Sequence, residues 1–352
     1  MFFDLKIGSS LGALPTVCAL FAMFFFAPLC ASGEELEGKI MTVDGPIASS
    51  ELGKALSHEH VLVDFIGASE TGYERWDRET VAKAVLPHLL EIKSLGYRSL
   101  FECTPAYLGR DPLLLKLLSE RSGIRLVTNT GYYGARKNLY IPAWALKASA
   151  DALSEIWIRE FRNGIEGTGI RPGFIKIGVD RSERLSPFHA KLVRAACRTH
   201  LATGLTIASH TGPSDAIFEI AEILEEEGVS PNAFIWVHAT RDSSENQIRA
   251  AKLGLWVSID NLRENAILLN ANVERLVALK AAGLLHRVLV SQDAGWYRPG
   301  EENGGAFAPY TFVERSLLPA LREAGFTQRD LDILLIQNPA EAYAISIRKG
   351  RG

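Results

Sequence analysis

Cysteine is scarce in this chain, with four in 352 residues. Cys18 and Cys30 fall in an apolar leader, which leaves Cys103 and Cys197, each in an apolar stretch and read as a buried free thiol. Export would permit a disulfide, but one thiol sits at an expected strand end and the other on a helix, and nothing in the sequence brings them together. A cysteine-ligated metal or a cysteine nucleophile is therefore not arguable. An excess of one charge is lacking too. The formal net charge is -3, and Lys and Arg are dispersed, so the electrostatic footprint of a nucleic-acid binder is missing. With 22% charged and 47% hydrophobic residues, the chain does not have the composition of a disordered protein and has the apolar material for one large core. The expected partner is a small molecule.

The N-terminal segment differs from the rest. Leu11 to Cys30 is rich in Leu, Phe and Ala and ends in Cys30, Ala31 and Ser32 before Glu34 and Glu35. It reads as a secretory signal peptide over residues 1–32, with a periplasmic destination. Asp4 cancels Lys6 in the leading region, so an uncleaved membrane anchor is the alternative, and bulky Leu29 argues against lipidation at Cys30. Residues 33–352 are then expected to form a single domain.

Lys39 to Val43 and Gly45 to Ala48 predict a hairpin turned at Asp44-Gly45 that caps one end of the fold. Eight β-rich runs follow: Ala55 to His60, Ser99 to Thr104, Arg125 to Thr130, Phe174 to Val179, Leu205 to His210, Phe234 to His238, Leu255 to Asp260 and Arg287 to Asp293. Helical periodicity alternates with them at Thr80 to Leu95, Pro112 to Ser122, Asp151 to Gly164, Pro187 to Ala202, Ser214 to Glu227, Ser243 to Leu253, Asn272 to Ala282 and Tyr310 to Ala324. Alternation implies parallel strands joined by crossovers, and eight repeats imply closure into an α/β (β/α)8 TIM barrel rather than an open doubly wound sheet.

Polar residues fall where such a barrel opens. His58 and His60 lie one residue apart on a strand, so a period of two puts both imidazoles on one face. His210, His238 and Asp293 end three other strands, and their joint placement favours metal ligation over separate structural roles. Lys176 sits inside the aliphatic run Phe174-Ile175-Lys176-Ile177, where a buried ammonium group is costly without a partner. It pairs with a carboxylate, snorkels to the rim, or reacts as the neutral amine with carbon dioxide to form an anionic N-carboxylate. His88, His189, His200 and His286 fall on helices or their ends and read as structural.

Several motifs together resemble the phosphotriesterase family of the amidohydrolase superfamily. They are Met41 to Pro46, Leu56-Ser57-His58-Glu59-His60 with Leu62-Val63-Asp64, Gly109-Arg110-Asp111, Gly164 to Arg171, Phe174-Ile175-Lys176, Leu201 to Gly204, Ser209-His210-Thr211 and Asn338-Pro339-Ala340. The resemblance implies a centre of two divalent ions, zinc by usage, with His58, His60 and Asp293 on the more exposed ion, His210 and His238 on the more buried one, and carboxylated Lys176 bridging. It further implies hydrolysis of a phosphoester, lactone or related ester by a hydroxide shared between ions about 3.5 to 4 Å apart, with Asp293 as proton acceptor, and a possible homodimer.

The chain departs from that pattern in places. Ala239-Thr240-Arg241-Asp242-Ser243 replaces the acidic run that serves phosphotriesterases as a proton relay, and Asn261 stands where they carry histidine. Tyr133 resembles a tyrosine that lactonase members place beside the metals, and so tilts the expectation toward carboxylic-ester or lactone chemistry. Trp296 and Tyr297 read as part of an aromatic mobile loop over the site, and Arg136, Lys137 and Arg298 as rim charges that could meet an anion. The altered relay also leaves open an exported barrel that binds metals and a small ligand without turnover.

Overall fold

The computed structural model describes, besides Met1, residues 36–180, 184–212, 214–262 and 265–350. The expected signal peptide lies, apart from Met1, outside the described residues. Among the described residues no helix is long and apolar enough to cross a membrane.

The strands are β1 (Lys39–Thr42), β2 (Gly45–Ala48), β3 (Ala55–Leu62), β4 (Ser99–Glu102), β5 (Arg125–Val127), β6 (Asn129–Thr130), β7 (Phe174–Gly178), β8 (Ile207–His210), β9 (Phe234–Val237), β10 (Trp256–Ile259), β11 (Val288–Val290) and β12 (Gly295–Tyr297). β1 and β2 pair antiparallel, and Ile40 and Ile47 pack on residues of the sheet interior. All other pairings between named strands are parallel, in the order β3-β4-β5 and then β6 through β11. The third barrel strand is thus split at Thr128, but Gly173 N still donates to Thr128 O at 2.8 Å and the ladder continues across the break. The last strand returns to the first through Asp293 N to His58 O, 3.1 Å, and His60 N to Ala294 O, 2.9 Å. Eight parallel strands therefore close on themselves.

Parallel strands are buried on both faces, which is why these runs are almost continuously apolar. One side chain from each of the eight strands, Ala55, Phe101, Val127, Phe174, Ala208, Ile235, Trp256 and Leu289, meets in the barrel interior. Their neighbours, such as Leu56, Leu100, Leu126, Ile175, Ile207 and Val257, pack outward in the larger cluster of the molecule. Side-chain caps start most of the crossover helices: Asp77 accepts from Thr80 N, Asp111 from Leu114 N, Ser149 from Ala152 N, Ser186 from His189 N and Ser243 from Asn246 N. Each is worth about 1 kcal/mol. The C-terminal Asn338-Pro339-Ala340 motif also has a structural job, since buried Asn338 donates to Leu285 O and Val288 O at the start of β11. Tyr343 then plugs the barrel, stacked on Phe101 at 3.9 Å with its hydroxyl on Ser57 O.

Three expectations are corrected. The helix expected from Asn272 begins at Ala266, because Asn265 caps it by accepting from Ile267 N and Leu268 N. The helix expected over Tyr310 to Ala324 is a π-helical turn, Val313–Leu317, followed by an α-helix, Leu318–Glu323. The run expected from Arg287 to Asp293 is a regular strand only to Val290, although Ser291 N and Asp293 N still donate to Ile259 O and His58 O, and the chain then enters the sheet again as β12 beside β3. Trp296 and Tyr297 therefore lie in a paired strand and not in a free loop. Glycine makes that pairing possible: Gly295 has φ +100°, and a Cβ there would sit 1.8 Å from His60 O.

Candidate metal centre

His58, His60, Lys176, His210, His238 and Asp293 all line one cavity of about 1190 Å³ at the C-terminal end of the barrel. They reach it by three different local routes. Lys176, His210 and Asp260 share strand parity with the interior residues Phe174, Ala208 and Trp256, so simple alternation aims them inward. β3 is different. Ala55 faces the interior, so uninterrupted alternation would turn Ser57 and Glu59 inward; a register shift between Leu56 and Glu59 resets the parity and delivers His58 and His60 instead. His238 follows the interior residue Val237 and would point away, but it adopts φ +62°. Asp293, beyond the end of β11, has φ +56°. Left-handed backbone at a non-glycine residue costs about 1–3 kcal/mol and concentrates where function demands a direction.

The hydrogen bonds assign the tautomers. His58 Nδ1 and His238 Nδ1 both donate to the Asp260 carboxylate, at 2.9 and 2.6 Å, and Ser258 Oγ and His238 N add two further donors at 2.7 and 3.2 Å. His60 Nδ1 donates to Thr104 Oγ1 at 2.8 Å, and that hydroxyl donates onward to Glu102 at 2.5 Å. All three imidazoles therefore present a bare Nε2. His58 Nε2 stands 3.7 Å and His60 Nε2 3.2 Å from the same Asp293 oxygen, while Lys176 Nζ stands 3.4 Å from His58 Nε2. At Asp293 electron pairs face electron pairs, an arrangement that a cation relieves. The spacing also fits: ligand atoms about 2.0–2.1 Å from a tetrahedral ion lie roughly 3.3 Å from one another. Two triads, His58 with His60 and Asp293, and His58 with His238 and Asp260, each bring their ligand atoms within 4.8 Å.

Protonation states agree with ligand duty. Burial, reinforced by the Lys176 charge, lowers His58 to about 3, and burial together with the neighbouring Arg241 charge holds His210 well below the ordinary range. Burial works to raise Asp293, but the imidazoles of His60, His238 and His58 around it outweigh burial and bring the carboxyl to about 2, so it is the anion among these ligands. Asp293 is further fixed by Glu59, which accepts from Ser291 Oγ and from Gln292 N and Ala294 N on either side of it. Lys176 is 2% exposed and has no ion pair with a carboxylate among the described residues.

His210 belongs to neither triad. Its ring stands edge-on to His238 at 4.5 Å and to Tyr133 at 5.0 Å, and its Nε2 faces Arg241 Nη1 at 3.3 Å. Tyr133 is half-buried in the cavity wall, where burial pushes its phenol above the usual range and keeps it protonated. Arg136, Lys137, Arg241, Asn261 and Arg298 line the same cavity. The sequence places Asp260 at the end of the run Leu255 to Asp260 without giving it a role. Its strand-end position, in phase with Ser258, was the available signal. The remaining histidines do structural work: His189 and His200 are buried on backbone carbonyls, His88 stacks on Phe307 at 4.5 Å, and His286 bonds Gly283 O. Cys103 and Cys197 are free and buried.

Fold and site together define the class: a parallel β/α barrel carrying a candidate metal centre of histidine, lysine and aspartate at the C-terminal rim of its strands. The chain belongs to the phosphotriesterase family, whose sequence model matches residues 38–343. The phosphotriesterase homology protein of Escherichia coli (strain K12) is 28% identical over 294 residues, covering 83% of this chain and 98% of that protein. The N-acetyltaurine hydrolase of Xenopus tropicalis is 24% identical over 348 residues, covering 87% and 98%. Among solved structures, the organophosphorus hydrolase from Deinococcus radiodurans superposes with a TM-score of 0.79 at 24% identity over 87% of this chain and 97% of that one, a likeness of fold.

Proposed function

We propose that the protein is a metal-dependent hydrolase of small esters, lactones or phosphoesters. The observation that carries this reading is the convergence of bare Nε2 atoms of His58 and His60 on one Asp293 oxygen beside buried Lys176. Two divalent ions, zinc by usage, would be held by His58, His60, His210, His238 and Asp293, with Lys176 between them; when bound they supply Lewis acidity to the scissile group and lower the pKa of a water nucleophile. Lys176, once neutral, can add carbon dioxide with loss of a proton, which turns a buried cation into the anionic bridge that such a pair needs. Asp260 orients His58 and His238 through their Nδ1 protons. Asp293 is ionised at neutral pH and so placed to accept a proton beside the attacked centre. Tyr133 keeps its proton and can donate to the substrate from the cavity wall.

Hydrolysis of an N-acyl amide is the second reading, favoured by relatives named N-acetyltaurine hydrolase. The leader supports export to the periplasm. The decisive experiment measures metal content of the mature chain and assays aryl phosphotriesters, lactones, aryl esters and N-acyl amides before and after chelation. Metal-independent turnover would sink the mechanism, and Lys176→Ala is expected to lose metal and recover activity in part with added short-chain carboxylates.

A further inference from the structure

The cavity holds more positive charge than the candidate ligands account for. Arg136, Lys137, Arg241 and Arg298 line it, against Asp180 and Glu301 outside the metal set. Arg298 is neutralised by Glu301 at 3.3 Å. Asp180 is occupied by Lys137 N, which donates to both its oxygens at 3.1 and 3.2 Å, and by His189 Nε2 at 3.9 Å. Arg136, Lys137 and Arg241 make no side-chain ion pair with a carboxylate among the described residues.

Arg241 is the innermost of these, half-buried, with Nη1 on His210 Nε2. That bond cannot survive ligation of His210. If Nε2 binds the ion, its lone pair is gone; if Nδ1 binds it, the proton moves to Nε2 and the atom no longer accepts. Either way the guanidinium loses its imidazole partner while remaining in the cavity wall, with donors free beside the reacting centre. At the mouth, Arg136, Lys137 and Asn138 form an unusual run of left-handed residues, φ 59°, 59° and 62°. Asp180 on Lys137 N, and His189 on Gly134 O and Asn138 Oδ1, hold that run against its strain. Arg136, its guanidinium 5.5 Å from the Phe65 ring, and Lys137 are thereby kept on the cavity.

We propose that Arg241, supported by Arg136 and Lys137, is an anion subsite, and that the substrate is a small ester, lactone or amide carrying a fixed carboxylate or sulfonate. Arg241 binds that group and the mouth residues draw it in. The proposal rests on the hydrolase reading for the word substrate, but not for the binding event. Metal-loaded protein is titrated calorimetrically with glutarate and with neutral glutaramide, and assayed on 4-nitrophenyl hydrogen glutarate against 4-nitrophenyl butyrate. Expected are binding of glutarate, weakened by salt, with none of glutaramide, and in Arg241→Gln a loss of roughly tenfold or more both in glutarate affinity and in the anionic-to-neutral ratio of kcat/KM. Arg241→Lys recovers part of both. Glutarate affinity equal in wild type and Arg241→Gln overturns the subsite, as does an Arg241→Gln protein that has lost its metal, which would make Arg241 a support for His210. If neither ester is cleaved while glutarate binding still depends on Arg241, the hydrolase reading fails and the subsite stands. Should Arg241→Gln not fold, absence of glutarate binding to the wild type overturns the proposal alone.

Discussion

Asp260 accepts from two imidazoles at once, and its charge is what holds both rings with Nε2 toward the cavity. Desolvation opposes that charge, but the two histidines and their hydrogen bonds prevail and keep the carboxyl well below its usual range. Replacing it by Asn leaves the shape and removes one acceptor oxygen, so one ring is free to turn. Asp260→Asn is expected to weaken metal binding roughly 10–100-fold while the far-ultraviolet circular dichroism stays unchanged. A chelator-competition titration that finds wild-type affinity would remove Asp260 from the site.

Elements are held in register by a few close approaches. Gly295 lets β12 lie against β3, and a methyl group there would collide with His60 O at 1.8 Å while forcing a side chain to φ +100°. Gly295→Ala is expected to destabilise the protein by on the order of 3 kcal/mol, read as a lower urea midpoint, and to displace Asp293 two residues away. The helix Pro187–Thr203 carries another such contact, to the C-terminal tail: His200 Nδ1 donates to Leu205 O at 2.8 Å, and Nε2 accepts from Arg348 N at 3.0 Å. A proton on Nε2 would face that N–H, with Arg348 O 3.3 Å away, and burial together with the Arg348 charge outweighs the backbone hydrogen bonds to Leu205 and Arg348 and lowers His200 from 6.5 to about 4. The unfolded chain therefore binds the proton first. Stability is full above the unfolded value, falls as pH drops from about 6.5 toward 4, and levels below it, a loss on the order of 3 kcal/mol. Urea unfolding at neutral pH and at about pH 4.5 checks this: His200→Asn should lose less stability than wild type over that interval, and parallel losses would refute it.

For the whole molecule, metal binding and folding share one free energy, because the strand ends that carry the ligands are far apart in the unfolded chain. Metal at a hundred times its dissociation constant adds about 2.7 kcal/mol, so exhaustive chelation should lower the Tm by about 5 °C. A calorimetric Tm indifferent to chelation would count against any metal at this site. The order of elements is the part of the fold most plainly written in the chain, because hydrophobic period and turn chemistry are local properties. Boundaries were less legible where a local device intervenes, as when Asn265 starts its helix early or Gly295 brings the chain back into the sheet.

The six candidate ligands were legible because each ends a strand or sits alone and charged within one. Their directions were not. A bulge in β3 and left-handed backbone at His238 aim side chains that alternation alone would have sent elsewhere, and the bulge depends on pairing with a strand distant in sequence. By itself the sequence determined the alternation, the closed parallel barrel and the types of residue at its open end. Only the tertiary structure made Asp260 the common partner of two imidazoles and set Arg241 against His210, because such contacts are fixed by register between strands and not by spacing along one.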